Sequence, residues 1–462
     1  MKVVYLKLSL KLSLLKKQLL YIISFFLCFS IYSQKKFHFY GKRTDKQELK
    51  FDLINNLIVI PLEVNNHKLS FILDTGVNKT ILFNLTRNDS IGLNNVKKVF
   101  IRGLGDGEPI EALLSKGNKF RINNIVGEDQ ELYVILKDAF NLSAKMGTTI
   151  HGIIGYDLLK DVVVKINYNT KRIVFYNPKK YKESKCRKCE IFPLQFYRKK
   201  PYIDVKARID TVNDIATPLK LLIDTGGSDA MWLFEDTKDI IKTPIKNFKD
   251  ILGEGISGTI YGNRSKIPYV SLGRFMLKEP TVSFLDSTST FNARQFKERN
   301  GSIGGNILRR FKVWIDYPNK KITLKKNASL KAGFFYNMSG LRIVYDGQEL
   351  VKEKAVTWTL DFRGENSNAN QSSSNIIPFV STYNYRFKPK YKIDRVVINS
   401  PAYKAGILSG DIIVTINNKP AHEYTLEEIM SMFQTKPNRK IRMKVKRGFT
   451  DVKCEFRLEK RI

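Results

Sequence analysis

Histidine and cysteine are scarce in this 462-residue chain, and the scarcity excludes several kinds of hydrolytic chemistry. The four histidines, His38, His67, His151 and His422, are scattered and form no His-Glu-x-x-His metal motif. No Gly-x-Ser-x-Gly elbow is present, so a serine nucleophile on such a turn is not expected. A zinc site at Cys186-x-x-Cys189 would need two more ligands, and no partner motif exists. No metal and no cofactor are therefore expected. Acidic residues are also few: 44 Asp and Glu stand against 79 Lys and Arg, a formal charge of +35. Such an excess favours contact with anionic lipid, polyanionic glycan or nucleic acid. The basic residues are spread along the chain and not gathered into one arm, which puts a solvated surface ahead of a dedicated site. There is no paired-Cys finger, basic heptad region or aromatic RNA-binding signature, so no specific nucleic-acid partner is expected. Weak contact with a polyanion or an anionic surface is what the charge alone leaves open.

Long apolar runs are missing too, except at the start. Five lysines precede the apolar run 19–32, and Ser33 then stands before Gln34-Lys35-Lys36. That order reads as a signal peptide over residues 1–33, placing the protein in the periplasm, in the cell envelope or outside the cell. The run is short for a bilayer span, which needs about 20 apolar residues; an uncleaved anchor is the alternative. Bulky Leu27 disfavours lipidation of Cys28. In an exporting compartment Cys186 and Cys189 read most simply as a local disulfide, with reduced or metal-bound forms as alternatives. Residues 34–47 are polar and basic and are expected to form a loose segment.

What is abundant is β-strand signal, and it is organised as a repeat. Phe71-Ile72-Leu73-Asp74-Thr75-Gly76 recurs as Leu221-Leu222-Ile223-Asp224-Thr225-Gly226. At the same shift of 150 residues, Gly103 and Gly105 fall on Gly253 and Gly255. At a shift of 149, Ile154-Gly155 falls on Ile303-Gly304 and Ile166-Asn167-Tyr168 on Ile315-Asp316-Tyr317. A register held through separate landmarks with one single-residue slip marks two copies of a β-rich lobe of roughly 130 residues. The expected division is a first lobe over 34–182, a linker with the Cys-x-x-Cys pair over 183–194, and a second lobe over 195–327. An apolar strand ending in Asp-Thr-Gly delivers a carboxylate to a tight turn. Two such turns related by a two-fold axis bring two carboxylates together. Carboxylates about 3 Å apart cannot both ionise; one then takes a proton from water while the other polarises a carbonyl. Two carboxylates also serve glycosidases, but those give no reason for paired Asp-Thr-Gly turns.

These residues resemble the pepsin-like and retropepsin-like aspartic peptidases over about residues 50–327. The resemblance implies a mainly β, bilobal peptidase with Asp74 and Asp224 catalytic. Thr75, Gly76, Thr225 and Gly226 would support the catalytic loops, and Ile153-Ile154-Gly155 and Ser302-Ile303-Gly304 would pack behind them. Gly103 and Gly105 would lie on the flap over the substrate, with Gly253 and Gly255 on its counterpart. The substrate would be a polypeptide. Val77 and Gly227 depart from the family pattern of Ser, Thr or Ala, and Asn78 and Ser228 are the candidates to compensate. The rival reading is a catalytically inactive, peptide-binding scaffold of the cell envelope.

Residues 332–462 change character. Ser400-Pro401-Ala402, Ala405-Gly406-Ile407, Gly410-Asp411-Ile412-Ile413 and Ile416-Asn417 resemble a PDZ domain. That resemblance implies a groove for a peptide or chain terminus, with Ser339, Gly340, Leu341 and Arg342 as its carboxylate loop and a helix over 425–433. Thr425 and Glu428 form a capping box for that helix. The interval 346–385 is expected to be a disordered insertion, because its tract 364–375 is too polar to pack.

Overall fold

The computed structural model describes residues 36–42, 44–85, 91–103, 107–136, 142–210, 215–255, 258–355 and 382–462. The expected signal peptide, Gly105 and the tract 364–375 lie outside the described residues.

Four sheets account for the strands among the described residues. The first lobe has nine strands, the second has ten, a six-stranded sheet is shared between the lobes, and a further six strands form the C-terminal domain. In the first lobe Leu57–Val64 pairs antiparallel with His67–Leu73. The two-residue turn between them, Asn65-Asn66, has both φ angles positive (47° and 71°), a backbone that Asn tolerates.

The repeat becomes a repeated strand order. Gly152–Ile154 runs parallel to His67–Leu73, placing Ile154 beside Leu73. Arg299–Ile303 runs parallel to Thr217–Ile223, placing Ile303 beside Ile223. The lobes join through Val163–Asn167 and Phe311–Asp316, which pair antiparallel. Val164 faces Ile315, Lys165 faces Trp314 and Ile166 faces Val313. Because 149 residues separate equivalent positions, this pairing exchanges one lobe for the other about an axis through Lys165 and Trp314. One continuous core of buried Ile, Leu, Val and Phe side chains then runs through both lobes.

The end of the segment expected to be loose and part of the expected linker contribute strands to this shared sheet. Lys46–Lys50 pairs with Arg172–Tyr176, and Phe37 is 4% exposed against Gly127, where an added Cβ would lie 2.7 Å from the ring. Cys189–Pro193, placed in the linker, pairs with Lys321–Lys326. Both are short edge strands with a solvated face, too brief to stand out as strands in sequence. Cys186 and Cys189 form a disulfide with Cα atoms 5.5 Å apart.

The C-terminal domain has its own core. Its largest departure from expectation is the insertion. Leu341–Ala355 and Thr382–Val396 form one long antiparallel hairpin, so residues 346–355 and 382–385 are strand. Charged residues hid it. Lys388 pairs with Glu353 at 2.8 Å, and Lys390 and Lys392 meet Asp346 at 3.1 and 2.8 Å. Beyond Tyr345 and Tyr391 the ribbon is solvated, with Leu350, Tyr383, Tyr385 and Phe387 exposed. The helix Leu426–Phe433 begins with the expected capping box at Thr425 and Glu428.

This domain rests on the lobes through named contacts. The Asn55 N–H donates to the Glu427 carboxylate, and Gly147 packs against Leu426. Phe248 lies 5.2 Å from the Tyr336 ring, with the Arg461 guanidinium 4.0 Å from the Phe248 centroid. The connection itself is pinned by Arg310, 1% exposed. Its guanidinium donates to the carbonyls of Asn306 (3.0 Å), Gly333 (3.1 Å) and Ala332, and lies 3.5 Å from the Phe334 ring centroid.

Candidate active site

Each Asp-Thr-Gly triplet turns at the end of a buried strand, and a parallel neighbour fixes where it turns. The Asp74 N–H donates to Ile154 O and the Asp224 N–H to Ile303 O, both at 2.9 Å. Gly155 and Gly304 then let the loops back onto these strands. An added Cβ at Gly155 would lie 2.0 Å from Asp74 O, and one at Gly304 would lie 2.3 Å from Asp229 O.

The threonines tie the two loops together. The Thr75 N–H donates to Thr225 Oγ1 and the Thr225 N–H to Thr75 Oγ1, each at 3.0 Å. Thr75 Oγ1 donates onward to Ile223 O at 2.6 Å, and Thr225 Oγ1 to Leu73 O at 2.7 Å. Both side chains are buried, so each bond forms without competition from water.

The glycines admit the carboxyls. The Gly76 N–H donates to Asp74 Oδ1 at 2.6 Å, and the Gly226 N–H to Asp224 Oδ1 at 3.1 Å. An added Cβ at Gly76 would stand 3.0 Å from both Asp74 Oδ1 and Asp224 Oδ1. One at Gly226 would stand 2.2 Å from Asp74 Oδ2, so the two carboxyls approach each other across these glycines. Burial, and next the charge of Asp224, raise the Asp74 carboxyl to about 8, against the pull of the Gly76 N–H and the Lys200 ammonium.

Of the groups around the carboxyls only Tyr317 stood in the repeat, and no sequence signal placed any of them at the site. Lys200 sits near both; burial, then Arg299, pushes its ammonium below the ordinary lysine range. Arg299 is buried, and its Nε donates to Gly301 O at 3.1 Å. The Tyr317 hydroxyl is buried without a hydrogen-bond partner among the described residues, as is that of its repeat equivalent Tyr168. Asp229 accepts from Trp232 Nε1 and Ser283 Oγ at 2.8 Å and from Arg264 at 3.0 Å; Arg264 also holds Asp250 at 3.0 Å. That network binds the second Asp loop to the second hairpin.

The departures after each triplet have physical roles. Val77 packs behind Gly155, whose added Cβ would meet Val77 Cγ2 at 2.8 Å. Gly227 leaves room for Asp224, whose Oδ2 would lie 3.3 Å from an added Cβ. Asn78 Nδ2 donates to Arg198 O at 3.3 Å, and Asn56 Nδ2 donates to Ser228 O at 2.9 Å. Each bond ties a loop to a hairpin turn of the opposite lobe.

Both flap segments are hairpins. Lys97–Ile101 pairs with the start of Ile110–Ile122, and Gly103 follows the first strand with its carbonyl accepting from Asn292 Nδ2 of the second lobe at 3.1 Å. Gly253 and Gly255 lie on Phe248–Gly255, which pairs with Gly258–Lys266 and ends with Gly255 opposite Gly258. In the C-terminal domain Gly340 has φ +81°, and an added Cβ would strike Ser400 at 2.1 Å. The proposed carboxylate loop has already used two donors on itself. The Ser339 N–H goes to Asn337 Oδ1 and the Leu341 N–H to Ser339 Oγ, both at 3.0 Å. Arg342 pairs with Asp394.

Two β lobes, each closing on an Asp-Thr-Gly loop, define the class of architecture. Comparison with known families agrees: an aspartyl protease profile matches residues 60–158 and a PDZ domain profile matches residues 392–447. The chain combines an aspartyl-protease domain with a C-terminal PDZ domain. Among solved structures, an aspartic proteinase from Irpex lacteus is 13% identical, covering 62% of this chain and 99% of its own, with a TM-score of 0.42. A search of curated proteins gave no match.

Proposed function

We propose that this protein is an aspartic endopeptidase. Asp74 holds the proton shared with Asp224 and donates it to the scissile carbonyl oxygen. Asp224 takes a proton from water as that water attacks the carbonyl carbon. The tetrahedral diol then collapses: one hydroxyl returns its proton to Asp74 as the C=O re-forms, the C–N bond breaks, and the amine leaves with the proton that Asp224 took from water. The observation that carries this reading is the pair of carboxyls brought to one point beside Gly76, on loops held by reciprocal threonine bonds from two lobes. The PDZ domain holds part of the same polypeptide, raising its effective concentration beside the cleft. The basic, then apolar start and the Cys186–Cys189 disulfide support work in an exported, oxidising setting.

The test is digestion of a peptide library by the purified protein and by Asp74→Asn and Asp224→Asn. Each substitution is expected to slow hydrolysis by on the order of 10³-fold or more. Wild-type rates in either variant would sink the proposal. A wild-type protein that binds peptides and cleaves none would instead establish the inactive scaffold.

A further inference from the structure

The PDZ groove does not end within its own domain. A cavity of about 1060 Å³ runs from Gly340, Leu341 and the helix Leu426–Phe433 to the second hairpin and to Ser228, just past the second Asp loop. Six cations line it: Lys249, Arg264, Arg309, Arg342, Arg395 and Arg461. Its three carboxylates are already engaged. Asp229 and Asp250 hold Arg264 at 3.0 Å, and Glu427 accepts the Asn55 N–H. Arg342 is paired with Asp394. Lys249, Arg309, Arg395 and Arg461 form no ion pair among the described residues; Arg309 donates to the neutral Asn56 Oδ1 at 2.9 Å. Two of these four come from the peptidase domain and two from the PDZ domain.

We propose that this shared cavity binds an acidic polypeptide segment through its side-chain carboxylates, with the peptidase domain supplying half of the cations. The proposal rests on the reading of the chain as a peptidase with a PDZ tether and names the substrate feature that the tether selects. Side chains carry the recognition because two N–H donors of the terminal loop are satisfied within the loop itself. Guanidinium and ammonium groups facing carboxylates make the stronger, charge-assisted bonds. The occupant is a polypeptide because Leu341–Ala355 is an edge strand of its sheet among the described residues, and its start lines the cavity. An added peptide strand can pair there, whereas a glycan cannot.

The experiment uses the full chain carrying Asp224→Asn, so that binding is read without cleavage. Fluorescence anisotropy is measured at about 150 mM salt, where long-range attraction is screened. The probes are a short labelled peptide rich in Asp and Glu, its Asn/Gln counterpart, and the acidic peptide with an amidated terminus. The acidic peptide is expected to bind, with the Asn/Gln form weaker by about tenfold or more and amidation changing affinity by less than about threefold. Lys249→Glu, Arg309→Glu and Arg395→Glu are each expected to weaken binding by about fivefold or more. Lys249 is exposed, so Lys249→Gln reports on the peptidase half if Arg309→Glu unfolds. The proposal is overturned if amidation abolishes binding, if the Lys249 variants bind normally, or if a sulfated glycan of equal charge outcompetes the peptide. A wild-type chain that cleaves nothing would defeat the peptidase reading and leave this binding result standing.

Discussion

Gly226 and Asp74 belong to opposite lobes, yet a methyl group on Gly226 would lie 2.2 Å from the Asp74 carboxyl. No such contact can persist, so Gly226→Ala must displace Asp74 or separate the loops. The corresponding contact at Gly76 is 3.0 Å, close enough to be met by a small shift. Gly226→Ala is therefore expected to lower kcat by on the order of 10²-fold, since misplacement by about 1 Å can cost that much. Gly76→Ala is expected to cost less. Steady-state peptide cleavage by the two variants checks the order, and equal losses would contradict it.

Thr75 and Thr225 hold the same two loops from below. Thr75→Val leaves the Thr225 N–H without its acceptor and Ile223 O without its donor, and Thr225→Val does the mirror image. Each is expected to cost about 1–3 kcal/mol, the penalty of orphaned buried polar groups. Each pair also holds the loops at the separation the other pair requires. The double variant should therefore cost less than the sum of the singles. Urea unfolding measures all three; strict additivity would mean that the pairs act independently.

Asp74 makes stability depend on pH in an unusual direction. Its carboxyl is raised from 3.8 to about 8 on folding. Between these values the folded chain keeps a proton that the unfolded chain has released, so stability falls as pH rises through that window. Asp74→Asn removes the term. Its melting temperature should match the wild type near pH 4 and exceed it by roughly 3 °C or more near pH 7.5. A constant difference across pH would refute the assignment. On the peptidase reading, cleavage by the wild type should also decline as pH passes about 8, where Asp74 loses its proton.

Arg310 is expected to govern the connection between the domains. Arg310→Met leaves the carbonyls of Asn306, Ala332 and Gly333 without the donors they now have. At about 1–3 kcal/mol for a buried orphan, the connection should open more often and trypsin should cut at Lys325, Lys326 or Lys331 roughly tenfold faster. Unchanged digestion would show that packing alone holds it.

The paired Asp loops were legible because the repeat is written in residues that cannot be replaced locally. Asp74 and Asp224 end buried strands, and Gly155 and Gly304 stand where a Cβ would meet backbone oxygen. The same register gave Ile166 and Ile315, which flank the Lys165–Trp314 axis. The edge strands Lys46–Lys50 and Cys189–Pro193 were not legible, since both are short and have a solvated face. In the long PDZ hairpin the charged Glu353, Lys388 and Asp346 interleave with exposed Tyr383, Tyr385 and Phe387, and the alternation was not read as strand. Tyr317 stood in the repeat with Tyr168 but carried no sign of its place beside the carboxyls; Lys200 and Arg299 were missed for another reason. They reach the carboxyls from strands far apart in sequence, and no spacing links them to a motif.

The pairing of Val163–Asn167 with Phe311–Asp316 also sets an order of events during synthesis. A chain made from its N-terminus presents Val163–Asn167 with Arg172–Tyr176 on one side and nothing on the other. The open edge waits for about 150 residues, roughly 10–30 s at ordinary translation rates. An unpaired edge invites association with other nascent chains, so this interval is when the protein is most in need of a chaperone. Throughout it the chain owns one of its two aspartates in a formed loop. On the peptidase reading neither half carries both aspartates, so hydrolysis is expected only once the second lobe has closed.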